Sequence, residues 1–134
     1  MKTYAIAYAG ALVTLLVLDA IWLGLTAKSF YVPKLGDLMA PQPNFWVAAL
    51  FYVFYCVAVA ILASVPAMRE QSMMMAIGLG AVLGFAAYGT YDFTNLATLR
   101  NWPVVVTVVD LIWGTVVTAA SATGGFLALR WMGN

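Results

Sequence analysis

Residues 111–129, LIWGTVVTAASATGGFLAL, run from Asp110 to Arg130 without a single charged side chain. A helix needs about 20 residues to cross the hydrocarbon of a bilayer, so this stretch is span-length as it stands. Working outward, three more uncharged runs appear: 71–91 ahead of Asp92, 38–68, and 3–18 ahead of Asp19. A charge at mid-bilayer is expensive, so the gaps between charges mark the spans. They predict four helices near 4–26, 44–66, 73–95 and 104–130. The expected fold is all-α, an integral membrane four-helix bundle of antiparallel up-down topology in which 1–134 form one transmembrane domain.

Composition agrees. Hydrophobic residues make up 65% of the chain and charged residues 8%, whereas a soluble domain carries about 25% charge. Six Lys and Arg against five Asp and Glu leave a net charge of +1, too little for a nucleic-acid surface. With no histidine, His-ligated metal, His-ligated haem and Ser-His or Cys-His nucleophiles are all excluded, and no metal site is expected. The single cysteine, Cys56, forbids an internal disulfide and reads as a small buried hydrophobe. Lys2 before an apolar run is also how a signal peptide opens, but the run is span-length and Asp19 would interrupt an apolar core, so a retained helix is expected.

The connections fit the same count. Residues 28–44 carry Pro33, Gly36, Pro41 and Pro43 and read as a loop or interfacial segment. Residues 68–71 make a short turn, and Asn101-Trp102-Pro103 offers a cap-like polar residue and a proline to start the fourth helix. Gly80 and Gly84, with Gly114, Thr118, Ser121, Ala122 and Gly125, predict close packing of the third helix on the fourth. The five tryptophans read first as interfacial and packing residues, and Met73, Met74 and Met75 as lipid-facing.

An even number of spans puts both termini on one side and the polar residues toward the other. Asp19, Asp92 and Asp110 all fall there, in the stripes Leu15-Asp19-Trp22-Thr26, Tyr88-Asp92-Asn95 and Val106-Asp110-Trp113-Gly114. Each acid costs roughly 2.5 to 3.5 kcal/mol at mid-membrane, so three together need partners, water or a proton. At least one is expected to hold a proton at neutral pH. The plain reading of Asp92 with Arg100 is a salt bridge. Asp19 and Asp110 are expected to face each other across one cavity, walled by Trp22 and Trp113. The candidate ligand-binding set is therefore Asp19, Trp22, Tyr88, Asp92, Asn95, Arg100, Asp110 and Trp113, with no catalytic residue assigned.

The run 88–103, YGTYDFTNLATLRNWP, followed by Thr107-Val108-Val109-Asp110 and Trp113-Gly114, resembles a family of small bacterial four-span membrane proteins known as a domain of unknown function. Asp19, Trp22, Phe30-Tyr31 and Leu35-Gly36 fit the same pattern. The resemblance covers nearly the whole chain and implies a bacterial inner-membrane setting without an activity. Genes of that family often lie beside lipid-modifying ones, which inclines the expectation toward lipid-like ligands.

Four functions compete. The favoured one is binding or transport of a cationic or lipid-like small molecule in a carboxylate and Trp/Tyr-lined pocket. The others are a proton- or cation-coupled exporter working as a homodimer, a lipid-modifying enzyme using Asp19, Asp92 or Asp110 as acid or base, with or without a hard metal ion held by carboxylate oxygens, and a non-catalytic subunit of a membrane complex. The expected partners are membrane lipids and not nucleic acid. The basic residues tie at three a side: Lys2, Arg69 and Arg130 against Lys28, Lys34 and Arg100. If Asp92 engages Arg100, its weight in setting topology falls and both termini face the cytoplasm.

Overall fold

The computed structural model describes residues 1–133, and its only regular structure is helical, with no strand among them. Four long helices follow in chain order: α1 (Lys2–Thr26), α2 (Phe45–Arg69), α3 (Met73–Thr98) and α4 (Val104–Met132). All four are long and apolar enough to cross a membrane. Their outer faces carry large exposed apolar side chains, among them Val17, Ile21, Phe54, Val82 and Val116. Such continuous apolar surface is what a lipid-facing bundle requires and a water-facing one avoids.

The end of α1 departs from the sequence reading. Instead of stopping at Thr26 the chain continues through a π-helical turn (Ala27–Tyr31), a helical turn (Val32–Leu35) and a 3₁₀ turn (Gly36–Leu38). Pro33 does not break this path, because the widened turn before it shifts the hydrogen-bond register where a proline offers no N–H. The same device recurs in α2, where the π-helical turn Ala60–Ser64 precedes Pro66 and the helix runs on to Arg69. Gly36 closes the Val32–Leu35 turn and opens the 3₁₀ turn with φ +53, a conformation that favours glycine.

At about 1.5 Å per residue, the helical run Lys2–Leu38 is roughly 55 Å long against a hydrocarbon core of about 30 Å. The run is therefore longer than one crossing needs, and beyond that crossing the side chains of Leu35 and Met39 lie over the polar end of the bundle.

The other boundaries have simple causes. Asn44 caps α2 by accepting from the Val47 N–H at 3.2 Å, and Ser72 caps α3 by accepting from Met75 at 3.0 Å. Pro103 itself is the N-cap of α4 and makes no side-chain bond, while Asn101 sits in the turn with φ +62, so Asn101 is a turn residue and not the cap its polarity suggested. Trp102 is a packing residue. It is buried, donates to Thr107 Oγ1 at 3.0 Å and meets Tyr91 edge-on at 5.8 Å.

Helix α4 is the spine, packed along α3 on one side and α1 on the other. Glycines make both approaches possible. A Cβ added at Gly80 would lie 2.8 Å from the Thr118 carbonyl oxygen, and one at Gly84 would strike Gly114 and Thr118. On the other side a Cβ at Gly10 would lie 2.7 Å from both Ala128 and the Gly124 carbonyl. The expected packing of the third helix on the fourth is thus present, and the first and last helices are neighbours.

Hydroxyls tie the buried half together. Ser121 donates to the Ala11 carbonyl and Ser64 to the Ala122 carbonyl, each at 2.8 Å, and Tyr55 pairs with Thr118 at 2.7 Å. The second half of α2 packs into this core through Cys56, Val59, Ala60 and Ala63. Its first turns do not: residues 45–51 are all exposed, with Trp46 at 87%. That divergence opens a space between α2 and the rest.

Candidate functional site

The space is a cavity of about 570 Å³ at the polar end, bounded by α1 and its extension, α2, α3 and α4. Asp19, Trp22, Tyr88, Asp110 and Trp113 line it, five of the eight residues singled out from sequence. Asp19 comes from α1 and is 7% exposed. Its Oδ1 accepts from Trp113 Nε1 at 3.0 Å, and its Oδ2 accepts from the Tyr52 hydroxyl, so three helices meet on one carboxylate. Asp110 Oδ1 accepts from the Tyr31 hydroxyl at 2.5 Å, and Tyr31 in turn accepts from Trp22 Nε1 at 3.1 Å.

The two indoles do not wall opposite sides of the cavity as expected. They stack on one another, centroids 4.4 Å apart and planes 7° from parallel, which is an offset-stacking distance. Each then spends its N–H on a different branch: Trp113 toward Asp19, Trp22 through Tyr31 toward Asp110. The stacked pair links the two acids into one network. Asp19 and Asp110 do share one cavity.

Asp92 stands behind this wall. It is 0% exposed, and neither carboxyl oxygen meets a donor from any described residue. The polar group beside it is the carboxyl of Asp110, itself an acceptor unless it holds a proton. The salt bridge with Arg100 is absent: the helix ends at Thr98, Leu99 is extended, and Arg100 lies exposed in the turn while Asp92 is fully buried with neither carboxyl oxygen partnered. Eight residues of helix would also set the two about 12 Å apart along the axis. With the pairing gone, the argument that placed both termini in the cytoplasm loses its basis, and the basic residues tie at three a side. Asn95 and Arg100 do not line the cavity.

Sequence reasoning missed Tyr31, Tyr52 and Tyr91 as site residues, and with them Phe51, Leu35 and Met39. Tyr52 and Tyr91 had a readable signal, since each falls on the polar end of its helix. Tyr31 lay in a stretch whose prolines and glycine argued for a loop, so the register that aims its hydroxyl at Asp110 was hidden.

The family model described as "Predicted membrane protein (DUF2177)" matches residues 4–127, which spans all four helices and every residue of this network. The chain belongs to that family. No curated protein and no solved structure matches it significantly. This DUF2177 chain is a multi-pass membrane protein, and the family name carries no activity. Among the described residues, no group of three or more Cys, Asp or Glu is placed to hold a metal ion.

Proposed function

We propose that the cavity binds an organic cation with an apolar or aromatic body. The observation that carries this is the composition of its wall: two carboxylates, Asp19 and Asp110, and no Lys or Arg among the described lining residues. Neutral donors from Trp113, Tyr52 and Tyr31 orient these acids without cancelling their charge. A positively charged ligand would supply the missing counter-charge at low dielectric. The rest of the wall is Trp, Tyr, Phe and aliphatic, suited to cation–π contact and to an apolar body. The volume falls in the range of about 300–1,000 Å³ usual for small-molecule sites.

Binding fits better than passage. Below the acids the bundle is closed by Leu15, Tyr55 and Val117, packed tightly with Val59 and Ala122. The mouth lies instead at the interfacial end, beneath the helical extension of α1. A cationic amphiphile would reach it from the membrane surface, with its head at Asp19 and Asp110 and its body along Phe51, Leu35 and Met39.

Benzyltrimethylammonium and its uncharged isostere neopentylbenzene test this. Tryptophan fluorescence in nonionic detergent should report saturable binding of the cation and not of the neutral compound. Asp19→Asn and Asp110→Asn should each weaken it at least tenfold. Equal binding of the two compounds, or binding indifferent to both substitutions, refutes the reading.

A further inference from the structure

The cavity explains Asp19 and Asp110 but makes no use of Asp92. A fully buried carboxyl with both oxygens undonated is costly, and it is tolerated only where a proton or an ion offsets it. What lies against it is a second carboxyl, Asp110, whose other side faces the cavity. Two carboxylates in contact repel; a carboxylic acid and a carboxylate in contact make a strong charge-assisted hydrogen bond.

The surroundings offer no alternative. Tyr31 from the extension of α1 donates to Asp110, and Tyr88 and Tyr91 from α3 line the same cavity with hydroxyls. Asp19 of α1 adds negative charge, and Tyr52 of α2 is committed to Asp19. No Lys or Arg among the described residues lines the cavity with Asp110 or is hydrogen-bonded to Asp92, and Arg100 is exposed.

We infer that Asp92 and Asp110 hold one proton between them, and that an organic cation entering the cavity exchanges for it. The inference rests on the cation-binding reading above and adds a coupling to it. Before binding, the pair carries one proton and one negative charge. When a cation settles against Asp110, the O–H bond of the pair breaks, the proton leaves through the cavity to water, and Asp110 stands ionised against the ligand with the ionised Asp92 directly behind it. One positive charge enters and one departs, so the net charge buried in the membrane is unchanged. Asp110 is the exchanging wall, and Asp92, shut off from the cavity, is the reservoir that makes a second proton state available.

Because benzyltrimethylammonium has a fixed charge and no proton of its own, any proton released on binding comes from the protein. Calorimetric titration of the whole protein in two buffers of different ionisation enthalpy, at one pH, counts it. About one proton should leave per cation bound, and affinity should rise by up to about tenfold per pH unit while the pair still holds its proton. Asp92→Asn preserves shape and supplies a permanent donor to Asp110, so binding should persist while proton release and the pH slope disappear. In the infrared, ligand-free protein should show a protonated-carboxyl band that the cation abolishes and that Asp92→Asn lacks.

Binding without proton release, or release that survives Asp92→Asn, overturns the exchange and leaves the binding site standing. Failure of the cation to bind overturns both. Should Asp92→Asn not fold, the two-buffer titration and the infrared band of the parent protein decide the question alone.

Discussion

Tyr52→Phe deletes one hydroxyl, and with it one of the two donors that hold Asp19. Two magnitudes bear on the cost. A hydrogen bond to a charged group contributes about 1.5–3 kcal/mol in soluble proteins. Polar contacts between transmembrane helices average only about 0.6 kcal/mol and reach about 1.7, because helices apart in the bilayer find other partners. The structure places this contact near the upper membrane value. Asp19 keeps the Trp113 donor, and the deleted hydroxyl borders the cavity, so water can replace it; the full soluble-protein cost is not incurred.

The bond also ties the first half of α2 to α1, alongside Tyr8, which donates to the Val53 carbonyl at 3.2 Å. We expect a coupling of about 1–2 kcal/mol in a double-mutant cycle of Tyr52→Phe with Asp19→Asn. Denaturant unfolding in mixed micelles, followed by tryptophan fluorescence, measures it. A coupling below about 0.5 kcal/mol, the scatter of additive pairs, would refute the view that Asp19 is what ties α2 to α1.

Three further outcomes follow from the geometry. Gly84→Ala places a methyl against Gly114 and Thr118 and should destabilise the bundle by about 1–3 kcal/mol in the same unfolding assay, whereas Gly78→Ala, with nothing nearby, should stay within about 0.5 kcal/mol or stabilise. Arg100→Ala should change thermal stability by less than about 0.5 kcal/mol because the side chain is exposed and unpaired with Asp92, a far smaller effect than a buried salt bridge would give. Trp113→Phe keeps an aromatic face but loses the bond to Asp19 and part of the stack on Trp22; cation affinity should fall roughly tenfold while the protein remains folded, as titration calorimetry and circular dichroism together would show.

The membrane, the four spans and the polar end were legible in the sequence because each rests on a one-dimensional quantity. Hydrocarbon thickness fixes span length, the cost of charge fixes where spans stop, and helical period fixes which residues share a face. The stripes of Asp19 with Trp22 and of Asp110 with Trp113 follow from spacing alone, and so do the glycines that let α3 and α4 approach.

Pairing between helices is another matter, since it depends on rotation and register that no local rule supplies. Asp92 and Arg100 are complementary in charge and close in sequence, yet the helix ends between them and turns one inward and the other out. Trp22 and Trp113 were expected to face across a void and instead stack, because crossing α1 on α4 at Gly10 and Gly124 brings the two turns together. Tyr31 was concealed by Pro33: in one dimension the proline reads as a break, and only the π-helical turn before it carries the helix on and delivers the hydroxyl to Asp110. The sequence alone determined which side chains are costly in a bilayer and at which end they gather. Tertiary packing decided which of them offset one another, because a buried carboxyl is satisfied only by the groups that other helices bring within hydrogen-bonding distance.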